Sequence, residues 1–425
     1  MKPKLTKLPN GIPFVEVPMP GAASVTLFVY CRVGSRYETK EINGASHFIE
    51  HLMFKGTKRR PSAEIISREL DRYGAAFNAM TGKDYTCYFV KIDAKRGKDA
   101  ADILHDMLFH SLFDPKEIDR ERGVIVEEIN MYEDNPHMHI EDLLERVLFP
   151  NSTLSWCIAG PREVIRNVSA EQLVAYRDAY YVPSRIVVAA AGAIRPDLRK
   201  KIRESFGRVR AQKPSRDAAF KSFAPAPLKE RIAIQEKKTE QTQVGIAFHG
   251  FHMAHADEPV AKILATILGG SMSSRLFVNV RERKGLCYAI SASHQSLEDT
   301  GIFAIYAGLD RRRIPLAIKT IMKELKGVAA NGVTPEELRR AKDYLRGKLA
   351  LALEDTSARA DWFGREYLFQ GKFESPAQRI AALEAVTAHD VKRVAKAIFR
   401  DDRMASAVIG PKASKRTLEQ IFRMR

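Results

Sequence analysis

The chain repeats itself. DPKEIDRER from Asp114 aligns with TPEELRRAK from Thr334 at an offset of 220 residues, and each opens a long helical pattern that closes near an acidic pair, Glu133-Asp134 and Glu354-Asp355. Val25–Val33 and Val244–Phe251 are likewise strand-like segments leading towards a helix. Two homologous halves explain this pattern, and 425 residues suffice for two cores. The boundary is expected at 211–230, a basic stretch rich in proline and alanine without periodicity, which leaves domains at 1–210 and 231–425. Helical patterns occupy 96–112, 115–133, 315–330 and 335–353, and the strands between them follow one another closely enough to pair antiparallel. The expected fold class is α+β: each half is a mixed, largely antiparallel sheet with helices on one face.

The halves differ in their chemistry. His47, Glu50 and His51 form the run H-F-I-E-H, the H-x-x-E-H spacing of the inverzincins. On a helix the two histidines at i and i+4 share a face and reach one metal ion. Glu50 projects beside them, where it can hold a water for metal-assisted peptide hydrolysis. A third ligand is sought in 115–134, where Ile118, Val124, Ile125 and Ile129 mark a buried face. Glu121 and Glu128 lie seven residues apart, two turns on one stripe. One of them completes a His2Glu site, which favours zinc, and the other orients a ligand histidine. At the repeat offset Glu121 falls on Ala341 and Glu128 on Lys348, and the second half has no H-x-x-E-H run. The glutamates occur in the half that has the histidines, so a duplicated fold keeps a single metal site.

Other features exclude other functions. The formal net charge of +17 invites a nucleic-acid reading, but lysine and arginine are spread over helical faces with no zinc finger or aromatic RNA-binding motif. No apolar run approaches the roughly 18–20 residues of a membrane span, and no secretory or mitochondrial leader is visible before the strand-like Gly11–Val17. Cys31, Cys87, Cys157 and Cys287 are scattered without a C-x-x-C pair, so free thiols and a cytoplasmic location are expected. His249, His252 and His255 have H-x-x-H-x-x-H spacing but no acidic or cysteine partner clearly placed beside them, and they read as loop histidines.

The stretches GASHFIEHLMFKGT, FNAMTGKDYTCYFVKI and ERGVIVEEINMYEDNP resemble the M16 peptidases, the group of the mitochondrial processing peptidase, pitrilysin and the insulin-degrading enzymes. The resemblance continues through AYRDAYYVPSRIVVAAAGAI and ILGGSMSSRLFVNVRERKGLCYAI, in the family's order and spacing. It implies a half-length, single-chain member whose two domains form half of a clamshell. It further implies His47, His51 and Glu128 as zinc ligands, Glu50 as general base and Glu121 as the second glutamate supporting the ligand shell; Glu127 points off the face that Glu121 shares.

The same resemblance implies that an extended peptide adds to an edge strand at Phe77–Thr81, through Asn78 and Ala79. Arg281 would hydrogen-bond substrate carbonyls, and Tyr288 would stabilise the oxyanion or hold the peptide backbone. The chain carries both the zinc set and this Arg/Tyr pair, so a homodimer is the simplest assembly, with a heterodimer with a paralogue as the alternative. The expected activity is zinc-dependent endoproteolysis of short or unfolded peptides, with one Zn2+ per chain. The rival readings are a catalytically silent structural subunit and a peptide-binding module of the same fold.

Overall fold

The computed structural model describes residues 3–210, 219–411 and 414–424, so part of the expected linker at 211–230 lies outside the described residues. Two sheets organise the chain. The first holds β1 (Lys4–Lys7), β2 (Pro13–Pro18), β3 (Ser24–Cys31), β4 (Ala76–Thr81), β5 (Thr86–Asp93) and β6 (Ile186–Gly192). Their spatial order is β1-β2-β6-β3-β5-β4. The second holds β7 (Ile232–Glu236), β8 (Gln241–Gly250), β9 (Cys287–Ser296), β10 (Gly301–Asp310) and β11 (Met404–Gly410), in the order β7-β11-β8-β10-β9. Strand for strand, the second order repeats the first without β1. Each sheet has one parallel pair, β2 with β6 and β7 with β11, and is otherwise antiparallel. The duplicated, mixed α+β architecture expected from the repeat is present.

Five helices of the first half bear on the argument: α1 (Ala45–Leu52), α2 (Ala63–Asp71), α3 (Gly97–His110), α4 (Pro115–Asp134) and α5 (Pro136–Leu148). Val25, Leu27, Val29 and Cys31 of β3 point to one face, where they meet Phe48 and Ile49 of α1, Ile103 and Met107 of α3, and Ile118, Ile125 and Ile129 of α4. Val124 does not join that stripe and is 46% exposed. Six residues beyond Ile118 is about 240° around the helix, so the buried position between Ile118 and Ile125 falls to Glu121 instead.

The compact units are not the two halves of the chain. One unit comprises 1–129, 157–220 and 349–375; the other comprises 130–156, 221–348 and 376–425. Each sheet therefore takes a helix from the opposite half of the sequence. On the first sheet, Ala360, Phe363 and Leu368 of the Thr356–Gln370 helix cover the face formed by Val15, Phe28, Tyr30 and Ala189. On the second, Ile140, Leu144 and Leu148 of α5 cover Ala247, Ala304, Ala407 and Ile409. The other helices gather on the opposite faces, the Glu258–Gly269 and Ile314–Asn331 helices among them.

Small residues make the exchanged helix fit. Gly364 faces a sheet whose β6 reads Ile-Val-Val-Ala-Ala-Ala-Gly, and a Cβ on it would lie 2.5 Å from the Tyr30 ring and 3.0 Å from the Ala189 methyl. Hydroxyls and charges seal the rim: Thr26 and Thr356 are hydrogen-bonded at 2.8 Å, and the Tyr30 hydroxyl donates to Asp361 at 2.9 Å. Among the described residues no helix is long and apolar enough to cross a membrane.

Candidate metal centre

Helix α1 is short, eight residues, and carries the H-x-x-E-H run on a strongly amphipathic frame: Phe48, Ile49 and Leu52 enter the core. His47 and His51 fall one turn apart on the opposite edge, with their Nε2 atoms 3.3 Å from each other. Glu128 Oε2 comes 3.5 Å from each of these nitrogens. The three ligand atoms lie within 4.8 Å of one another, and among the described residues no other such group of histidine, cysteine or carboxylate side chains occurs.

This arrangement fits zinc. Nitrogen and oxygen ligands at about 2.0–2.1 Å from a tetrahedral ion stand about 3.3–3.4 Å apart. The spacings of 3.3, 3.5 and 3.5 Å lie close to that edge. Two neutral imidazoles and one carboxylate also form a borderline donor set suited to zinc. Burial, and then the neighbouring His51, push the His47 imidazole down to about 3, which keeps its lone pair free of a proton at neutral pH.

The supporting shell comes from α4 and the turn that follows α1. Glu121, with only 2% of its side chain exposed, accepts the His51 Nδ1 proton at 3.1 Å, which directs Nε2 into the site. Lys55 closes on the other oxygen of Glu121 at 2.6 Å. Burial alone would raise the Glu121 carboxyl; His51 and Lys55 outweigh it and bring it below the ordinary range. His47 Nδ1 has no partner among the described residues, and His47, 9% exposed, is held by its packing.

Glu50 sits one turn from His47 and accepts a hydrogen bond from the Thr81 hydroxyl. Burial raises its carboxyl, Glu128 adds to that, and Thr81 and His51 pull the other way, with a net upward shift. Thr81 ends β4, which lies at the edge of the first sheet and, among the described residues, pairs with β5 alone. Asn78 and Ala79 lie on this strand; the Asn78 side-chain oxygen accepts the Ala79 N–H at 2.9 Å.

Arg281 and Tyr288 belong to the second unit. Arg281 is in a π-helical turn, Phe277–Glu282, and Tyr288 is the second residue of the edge strand β9. The Arg281 guanidinium lies 5.6 Å from the centre of the Tyr288 ring and 4.5 Å from that of Phe277. Tyr288 is 74% exposed. The remaining histidine run is occupied by packing: His249 Nε2 bonds the Leu148 carbonyl at 2.8 Å, and His255 stacks on Phe251 at 4.2 Å.

The sequence assigns no individual role to three residues of the neighbourhood: Lys55, Thr81 and the buried Glu38. Thr81 is the most accessible to sequence reasoning, since strand alternation places it on the face of Phe77 and Ala79.

A family profile described as "Insulinase (Peptidase family M16)" matches residues 15–162, and one described as "Peptidase M16 inactive domain" matches 167–345. The Bacillus subtilis protein named "uncharacterized zinc protease YmxG" is 37% identical over 95% of this chain and 97% of its own length. The chain belongs to the M16 peptidase family. A Streptomyces coelicolor zinc protease, also named as uncharacterized, is 35% identical over 96% of the chain and 90% of its own length. A protease structure from Helicobacter pylori, 22% identical, superposes with a TM-score of 0.90 over 96% of this chain and 99% of that one. An M16-like peptidase from Alicyclobacillus acidocaldarius, 21% identical, gives 0.86 over 97% and 98%. The group of His47, His51 and Glu128 lies in the half matched by the first profile, and the half matched by the inactive-domain profile contains no comparable group among its described residues.

Proposed function

We propose that the chain is a zinc endopeptidase of the inverzincin type, acting on short or unfolded peptides. The observation that carries the proposal is the triangle of His47, His51 and Glu128, whose edges match those of a tetrahedral zinc site. Zinc held there would supply a Lewis acid that makes water a nucleophile near neutral pH and polarises the scissile carbonyl. Glu50 would accept the proton of the attacking water and pass it to the leaving amine. Thr81 would fix the Glu50 carboxylate for both transfers, and Glu121 would keep His51 in the tautomer that presents Nε2.

Substrate would bind as an added strand on β4, whose outer edge is unpaired in the first sheet. Main-chain pairing at Asn78 and Ala79 accommodates many sequences but requires an extended segment, which disfavours folded proteins. Arg281 would bind substrate carbonyls, and Tyr288 would donate to the developing oxyanion or to the peptide backbone. Because one chain has both the ligand set and this pair, identical chains are sufficient, which supports a homodimer over a heterodimer with a paralogue.

A catalytically silent structural or peptide-binding subunit is the second reading, supported by the inactive-domain description of residues 167–345. The test is hydrolysis of a quenched library of unstructured peptides by wild type and Glu50→Gln, with zinc content measured for both. Cleavage by wild type alone, with equal zinc, is expected; zinc in both and cleavage by neither would favour the silent subunit.

A further inference from the structure

The helix that carries the ligands is too short to hold itself. Eight residues form a marginal helix in water, and its first turn needs acceptors for free N–H groups. The N-cap residue normally supplies one from its own side chain. Here it is Gly44, at φ +102°, where a Cβ would come 2.6 Å from the Ile165 methyl and 2.7 Å from the Ala159 carbonyl oxygen. No side chain fits at that position.

The acceptor arrives from outside the helix. One oxygen of Glu38 accepts the Gly44 N–H at 2.7 Å and the Asn43 side-chain amide at 2.8 Å, and the other accepts the Ser46 N–H at 2.8 Å. Glu38 is 4% exposed, and its charge lies at the positive end of the helix dipole. The clasp ends one residue before His47. Glu38 is itself anchored: two residues earlier, the buried Arg36 donates to Asp84 at 2.7 Å, and the Ser35 and Arg36 N–H groups bond the Gly82 and Lys83 carbonyls in the β4–β5 turn.

We propose that Glu38 is a positioning residue for the metal centre: by clasping Gly44 and Ser46 it sets the pose of α1, and with it the spacing of the His47 and His51 nitrogens. A buried carboxylate is a costly cap, and burial pushes this one up to about 7 against the pull of Asn43, Gly44 and Ser46. Its place is explained by what it holds.

The inference rests on the zinc reading above, and its primary readout is metal affinity in the full-length protein, measured by competition with a chelator. Glu38→Gln keeps the size of the side chain but offers one acceptor oxygen where two are used. Its zinc Kd is expected to weaken by about tenfold or more, the size of effect seen when the support of a metal ligand is lost. At saturating zinc its kcat should fall while KM for peptide stays within about twofold, since the substrate strand is untouched. Gly364→Ala, which crowds Tyr30 on the far face of the sheet, is the structural comparison: it should lower the unfolding midpoint and leave zinc Kd within about twofold. A Glu38→Gln protein that binds zinc like wild type overturns the proposal, whatever its stability. Should that variant not fold, Glu38→Asp, with both oxygens withdrawn by a methylene, is read by the same Kd criterion. If wild type binds zinc but cleaves nothing, the peptidase reading fails while the comparison of Kd values still decides the role of Glu38.

Discussion

His51 gives its Nδ1 proton to Glu121 across 3.1 Å, and the second oxygen of that carboxylate is held by Lys55 at 2.6 Å. Glu121 thus occupies a position on the buried stripe of α4 between Ile118 and Ile125, where an apolar side chain would otherwise stand. The charge is tolerated there because both its oxygens are satisfied.

Replacing Glu121 with Gln is predicted to weaken zinc binding by about 10–100-fold, since the amide cannot fix the His51 tautomer as the carboxylate does. Lys55→Ala should act in the same direction but less, because Glu121 remains. Chelator competition measures both, and an unchanged Kd for Glu121→Gln would remove it from the site.

Thr81 makes a separable prediction. Its hydroxyl donates to Glu50 and, among the described residues, to none of His47, His51 and Glu128. Thr81→Val, which keeps the shape and removes the donor, should retain full zinc content and lose about tenfold in kcat, the worth of one hydrogen bond to a charged group. A parallel loss of zinc would mean that Thr81 supports the fold of the site rather than Glu50.

These partners show where sequence reasoning reached and where it stopped. His47 and His51 were legible because a four-residue spacing on a helix is itself a geometric statement, and Glu121 and Glu128 because two turns separate them on α4. Strand and helix positions followed from periodicity, since burial acts on every turn. Val124 falls off the buried face because apolar character alone does not fix an angle around the helix. Thr81 meets Glu50 across 31 residues, and Glu38 meets Ser46 across eight, through polar contacts that leave no period in the chain. The exchange of α5 and the Thr356–Gln370 helix was also invisible: an amphipathic pattern says that a face is buried, not against which sheet.

That exchange can be tested through Gly364. Alanine there adds helix propensity, yet its methyl would fall 2.5 Å from the ring of Tyr30, which is fully buried. Overpacking is predicted to win and to cost about 1–3 kcal/mol. Urea unfolding of the apo protein measures it; a stabilised variant would show that the helix does not press on β3 and β6 as described.

The second unit has an acid-sensitive element in His294. Burial pushes its imidazole down to about 4, and its Nε2 accepts the Phe251 N–H at 3.0 Å, a bond only the neutral ring can make. The folded pKa lies below the unfolded value of about 6.5, so the unfolded chain binds more protons between these values. Stability should therefore be fully present above pH about 6.5 and fall as pH drops towards about 4. In His294→Gln, whose amide oxygen can still accept that N–H, the dependence of the urea midpoint over this window should flatten; an unaltered slope would assign it to other groups.

The most direct test of the account is zinc stoichiometry and peptide cleavage measured together for wild type, Glu50→Gln and Glu128→Gln. One zinc per chain and cleavage in wild type, one zinc without cleavage in Glu50→Gln, and loss of both in Glu128→Gln is the predicted result. Zinc retained in Glu128→Gln at wild-type affinity, or cleavage surviving in Glu50→Gln, would contradict it.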